Sequence, residues 1–115
     1  MKAAVLYAKE DLRYEDYQDP QISAGEVLVK VKATGICGSD VPRVNQGMVH
    51  YFPIILGHEF SGEVVEVGEG VSSVKCGDRV AGAPLVPCLK CEDCQKGDYS
   101  LCKNYTFIGS RIQGS

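Results

Sequence analysis

Apolar and polar positions alternate over short stretches of this chain, and glycine breaks the alternation every few residues. Residues 26–34 read Glu-Val-Leu-Val-Lys-Val-Lys-Ala-Thr, with Val27, Val29, Val31 and Ala33 on one face and Lys30 and Lys32 on the other. A period of two predicts a strand with one face turned to a core. The same pattern predicts strands over residues 2–7, 12–17, 60–68 and 79–83, with Asp19-Pro20 ending the second and a glycine-rich loop over 68–77 joining the last two. One short helix is expected over 41–46, capped by Ser39 or Asp40, with Pro42 tolerated in its first turn. Thirteen glycines between short runs punctuate a mainly β chain. From Ala83 to Cys102 no periodicity remains, so that stretch needs something other than its own core to hold it.

Cysteines supply that something. The run Pro87-Cys88-Leu89-Lys90-Cys91-Glu92-Asp93-Cys94, followed by Cys102, has the form C-x2-C-x2-C-x7-C. Two residues between cysteines let a tight turn aim both sulfurs at one point. Four thiolates around one point suit a tetrahedral zinc ion, at Zn–S distances near ~2.3 Å. The expectation is a metal-organised lobe over about 84–103. Disulfides are the plainer alternative, but Cys88, Cys91 and Cys94 sit too close in sequence to pair comfortably with one another. An iron–sulfur cluster is a further alternative, with a spacing unlike the usual ones.

Composition narrows the partners. A chain of 115 residues is long enough for one domain with a core. Its net charge is −3, with Lys and Arg scattered, so no basic face for nucleic acid is expected. No apolar run is long enough for a signal peptide or a membrane span. Six cysteines, four of them in metal spacing, suit a reducing, cytoplasmic setting.

A second constellation lies upstream. Cys37 falls in Gly35-Ile36-Cys37-Gly38-Ser39-Asp40, and His58-Glu59 in Gly57-His58-Glu59-Phe60-Ser61-Gly62. Singly, a cysteine is more often a buried filler and a histidine more often structural. Together they offer a thiolate, an imidazole and a carboxylate. Two or three protein ligands leave a coordination position open, as in catalytic zinc sites. Ser39 is placed to take the proton of an alcohol held at the metal, and Asp40 to accept a hydrogen bond from the far ring nitrogen of His58. Helix capping is the competing role for both.

These residues resemble a known family. Gly57-His58-Glu59-x-x-Gly62-x5-Gly68-x2-Val71 matches the zinc-containing alcohol dehydrogenase signature, with the Cys37 motif before it and the four-cysteine lobe after it in the family's order. Nearly the whole chain resembles the N-terminal, GroES-like catalytic domain of a medium-chain dehydrogenase/reductase, and within that family the polyol dehydrogenases. The stretches 37–43, 50–54, 84–88 and 105–111 carry the narrower likeness.

The resemblance implies a partly open β-barrel with short helices and a zinc lobe. It implies a catalytic zinc at Cys37, His58 and Glu59, and a structural zinc at Cys88, Cys91, Cys94 and Cys102. Ser39 would begin the proton relay and Asp40 would hold the ligand histidine. Arg43, Tyr51 and Phe107 are the candidates to line the pocket of a small polyol or polyol phosphate, with a solvated helix face as the competing role for Arg43 and core packing as the favoured role for Phe107. NAD would be the cofactor of the full-length enzyme, a homodimer or homotetramer. The chain shows no G-x-G-x-x-G after a strand. A separate Rossmann domain and a further zinc ligand are therefore expected beyond residue 115, and the 115 residues alone are expected to be inactive, with a monomer as their candidate state.

Two departures from the family bear on mechanism. Many relatives have a relay histidine where this chain has Pro42, and sorbitol dehydrogenases have a tyrosine where it has Arg43. A guanidinium there suits a phosphorylated polyol. The rival readings are a zinc-ribbon-like binding module, disfavoured by the acidic balance, and a GroES-like domain that has lost its chemistry, disfavoured by the intact Cys37, Ser39, His58 and Glu59. Cys76 has no partner in any of these schemes.

Overall fold

The computed structural model describes residues 1–115 and is built from small antiparallel sheets with short helices between them. The strands are β1 (Lys2–Ala8), β2 (Asp11–Asp16), β3 (Val27–Thr34), β4 (Ile54–Ile55), β5 (Phe60–Val67), β6 (Arg79–Ala81), β7 (Leu85–Val86) and β8 (Thr106–Phe107). Helix α1 spans Asp40–Gln46, α2 spans Glu92–Lys96, and a 3-10 turn follows at Tyr99–Leu101. Three sheets result, ordered β2-β1-β4, β3-β5-β6 and β7-β8. No helix is long and apolar enough to cross a membrane.

The tightest core lies where β1 meets β4. Val5 faces Ile55 and Leu6 faces Ile54 across the ladder. Val5, Leu6 and Ile54 are fully buried, as is Val64 of β5. Each such side chain contributes about 1.5–3 kcal/mol on leaving water. Only 12 of the 115 residues are buried, so few side chains anchor the sheets.

The apolar face expected on β3 is only half covered. Val27 and Val29 are partly buried, whereas Val31 and Ala33 are exposed. Register shifts at Leu28/Val29 and at Val31/Ala33 interrupt the pairing with β5, so the alternation does not carry one uniform face along the strand. Gly62 shows why β5 needs a glycine here: a Cβ would collide with the Lys30 carbonyl of β3.

Two features position the site. The last residues of the chain lie along the segment that leads into His58: Gly114 N–H donates to the Ile55 carbonyl at 2.7 Å, and Ile55 N–H donates to Gln113 Oε1 at 2.6 Å. Gly109, at φ +71°, lies so close to Gly57 that a Cβ would collide with the Gly57 carbonyl. Secondly, the β7-β8 pairs Leu85–Phe107 and Val86–Thr106 close residues 87–105 into one loop. That loop carries all four cysteines of the lobe.

Candidate metal centres

Sequence spacing and local backbone together gather the four sulfurs of the lobe. Cys88 precedes Leu89, whose φ of 58° turns the chain back on itself. The N–H groups of Lys90 and Cys91 then point at Cys88 Sγ, at 3.5 and 3.4 Å, and the N–H of Cys88 points at Cys102 Sγ at 3.3 Å. Cys91 caps α2, which carries Cys94 inward, and Cys102 closes the 3-10 turn. All four sulfurs lie within 4.8 Å of one another, and none is in a disulfide. Cys88 and Cys94 Sγ are 3.9 Å apart. A tetrahedron of sulfurs around zinc has edges of about 3.8 Å, whereas a disulfide closes to about 2.0 Å. The donor set fits zinc.

Its electrostatics point the same way. The N–H groups of Lys90 and then Cys91 draw the Cys88 thiol down to about 6. The Cys94 N–H lowers Cys91. Burial first, and the neighbouring thiols after it, push Cys94 up to about 12. Four thiolates this close repel one another, and a dication at their centre removes the conflict by deprotonating them all.

The second cluster joins the end of β3 to the start of β5. The thiol of Cys37, the imidazole of His58 and the carboxylate of Glu59 have donor atoms within 4.8 Å of one another. Gly35 lets them meet: its N–H donates to the Glu59 carbonyl at 2.7 Å, and a Cβ there would strike the Glu59 carboxylate. His58 is buried, Cys37 half-buried and Glu59 exposed. A soft thiolate, an imidazole and a carboxylate with one open side are a donor set that fits a zinc ion.

Asp40 and Arg43 stand behind this cluster. Asp40 Oδ2 accepts from the Cys37 N–H at 3.0 Å, and Asp40 Oδ1 accepts from the Arg43 guanidinium at 2.8 Å. His58 Nδ1 lies 3.5 Å from Asp40 Oδ1 and 3.2 Å from the same guanidinium nitrogen. With Nδ1 protonated, the imidazole turns that N–H toward Asp40 and leaves Nε2 bare for a metal. With Nδ1 bare, Arg43 donates to it and the proton on Nε2 blocks ligation. The imidazole thus stands between a carboxylate acceptor and a guanidinium donor, and its tautomer decides which of the two it bonds. Ser39 is the residue before α1, yet its side chain makes no capping hydrogen bond, so its hydroxyl stays free and exposed.

Two cavities flank the cluster. One, of about 690 Å³, opens over His58, Glu59 and Phe60. The other, of about 210 Å³, is lined by Arg43, His50, Tyr105, Phe107, Ser110 and Arg111. Phe107 packs edge-on to the His58 ring, 5.4 Å between centroids. Tyr51 lines neither cavity; burial and the nearby Tyr17 raise its phenol. Its neighbour His50 faces the smaller cavity instead. His50 and Arg111 were not singled out from sequence, because both sit in irregular segments where no periodicity tells which way a side chain points. Cys76 lies apart and exposed, its thiol donating to the Val65 carbonyl at 3.5 Å.

With two groups of candidate metal ligands set on these sheets, the chain belongs to the zinc-containing alcohol dehydrogenases, and residues 23–115 match the family model described as the alcohol dehydrogenase GroES-like domain. Galactitol 1-phosphate 5-dehydrogenase of Escherichia coli K12 is 47% identical over 115 residues, covering 99% of this chain and 33% of that protein. Sorbitol dehydrogenase of Bacillus subtilis is 43% identical over 114 residues, covering 96% of this chain and 32% of its own length. The crystal structure of galactitol-1-phosphate dehydrogenase from Escherichia coli superposes with a TM-score of 0.95 at 46% identity, over all of this chain and 34% of that one. The chain thus spans about a third of the length of the relatives it matches, and its mainly β, GroES-like architecture is theirs.

Proposed function

We propose that the chain is the catalytic domain of a zinc-dependent, NAD-linked polyol dehydrogenase that oxidises a secondary alcohol to a ketone, with a polyol phosphate of the galactitol 1-phosphate kind as substrate. The convergence of Cys37, His58 and Glu59 on one point beside a free serine hydroxyl carries this reading. Bound there, zinc would supply a Lewis acid that lowers the pKa of a substrate hydroxyl toward neutrality. NAD would accept the hydride. A cytoplasmic enzyme working as a homodimer or homotetramer completes the reading, on family resemblance alone.

The chain's own residues would handle the proton. Ser39 lies two residues past Cys37 with its hydroxyl uncommitted, and it accepts the alcohol proton. Pro42 offers no group to carry that proton further. Ser39 is exposed, so it hands the proton to water directly. Asp40 keeps His58 in the ligating tautomer, and Cys88, Cys91, Cys94 and Cys102 brace the lobe through a second zinc away from the chemistry.

Substrate choice turns on the phosphate. The 47% identical relative is named for a polyol phosphate, the 43% identical one for an unphosphorylated polyol. The guanidinium groups that border the smaller cavity favour the phosphate. NAD reduction by the full-length protein with matched polyols and polyol phosphates tests this; preference for the unphosphorylated member would move the chain to the sorbitol type. In the same protein, Ser39→Ala should cut kcat by roughly 100-fold, the usual scale of a lost proton acceptor, with zinc content unchanged. Unaltered turnover would remove Ser39 from the relay.

A further inference from the structure

We infer that the 210 Å³ cavity beside the candidate metal ligands is a phosphomonoester subsite in which Arg111, assisted by His50 and Ser110, holds the phosphate, while Arg43 serves mainly as the partner of Asp40. The inference rests on the polyol phosphate reading above and assigns the group that binds the phosphate.

Charge separates the two arginines. Arg43 is paired with Asp40 in a site where both side chains are nearly buried, so its positive charge is already offset. Arg111 makes no ion pair with any carboxylate of the chain, yet it borders the same cavity. A phosphomonoester dianion needs an uncompensated cation with several donors in one plane, which a guanidinium supplies. His50, Ser110 and Tyr105 add an imidazole and two hydroxyls to the same lining.

Arg111 is also held in place beforehand. Its guanidinium carbon lies 4.4 Å from the centroid of the Tyr105 ring, and one nitrogen donates to the Tyr105 carbonyl at 3.3 Å. The turn that carries it is tied by three N–H groups, from Ser110, Arg111 and Ile112, that point at the Phe107 carbonyl. Gly109 seats this turn against Gly57, one residue before the ligand His58. The cation is therefore fixed relative to the metal cluster, and Phe107 spans the distance between them by packing on His58. A substrate with its reacting hydroxyl at the cluster and an anionic tail in the cavity would satisfy both ends.

The test uses the full-length, zinc-loaded protein and compares it with Arg111→Ala and Arg111→Lys. Steady-state kinetics with galactitol 1-phosphate and galactitol gives the ratio of their kcat/KM values, and calorimetric titration with inorganic phosphate reports binding without turnover. Arg111→Ala should lower the ratio by roughly 10- to 100-fold, the scale of charge-assisted hydrogen bonds, chiefly through KM for the phosphorylated substrate. It should also abolish phosphate binding, and Arg111→Lys should recover part of both. An unchanged ratio with phosphate binding retained in Arg111→Ala overturns the inference. Should the wild type prefer galactitol, the substrate reading falls separately; phosphate binding lost on Arg111→Ala would still support the subsite, and wild-type protein that binds no phosphate would overturn it.

Discussion

Replacing Cys94 by serine should release zinc from the four-cysteine lobe and loosen residues 87–105 while the β1-β4 core stays folded. Cys94 and Cys102 are the two buried cysteines of the four, and burial, with the neighbouring thiols after it, pushes the Cys94 thiol up to about 12. Only a cation at the centre makes a thiolate tolerable there, and serine cannot supply one. The lobe has little apolar support: Leu89, Tyr99 and Leu101 are exposed, and α2 has five residues, too few to stand alone. Zinc binding in comparable small sites supplies about 10–16 kcal/mol of folding free energy, far more than the two residue pairs of β7-β8 can. Limited proteolysis should therefore cut the variant between Cys88 and Cys102, and metal analysis should find about one zinc fewer per chain. Cys76→Ser, at an exposed thiol outside both clusters, should change neither readout.

Asp40→Ala should be the most damaging change near the second cluster. Asp40 and Arg43 side chains are only 10% and 13% exposed. Removing the carboxylate leaves a guanidinium charge without its partner, which costs about 3–5 kcal/mol in such sites. It also removes the acceptor that competes with the Arg43 donor at His58 Nδ1; with Arg43 alone there, the ring proton moves to Nε2 and closes the ligand atom. The variant should thus melt lower and hold zinc more weakly at Cys37, His58 and Glu59, with the four-cysteine lobe still loaded. Adding Arg43→Met removes the stranded charge and should restore much of the stability. Thermal melts and zinc titrations of the two variants separate the charge effect from the tautomer effect.

Much of this was readable from residue spacing. A C-x2-C-x2-C-x7-C run has few physical solutions, and the four sulfurs do meet. Cys37, His58 and Glu59 also converge, although twenty residues separate the first from the others, because β3 and β5 pair side by side. Strand alternation located β1, β2, β3, β5 and β6 to within a few residues. β4 stayed hidden, since two residues carry no period, yet Ile54 and Ile55 lie at the centre of the core. β7, β8 and α2 were hidden too, because closure of a metal loop organises them rather than apolar periodicity. The exposed Val31 and Ala33 mark the converse failure: alternation predicts a face, but bulges and neighbouring layers decide whether anything covers it. Arg43 was legible as a pocket residue. That Asp40 offsets its charge, and that Arg111 faces the same cavity uncompensated, emerged only from the folded chain.

Zinc content of the full-length protein, measured under reducing conditions for the wild type, Cys94→Ser and Cys37→Ala, tests the two-centre assignment most directly. Two separate donor sets predict about two zinc ions per chain in the wild type and about one in each variant, with dehydrogenase activity abolished in Cys37→Ala. A wild-type protein without zinc, or a Cys37→Ala variant with full zinc and full activity, would contradict it.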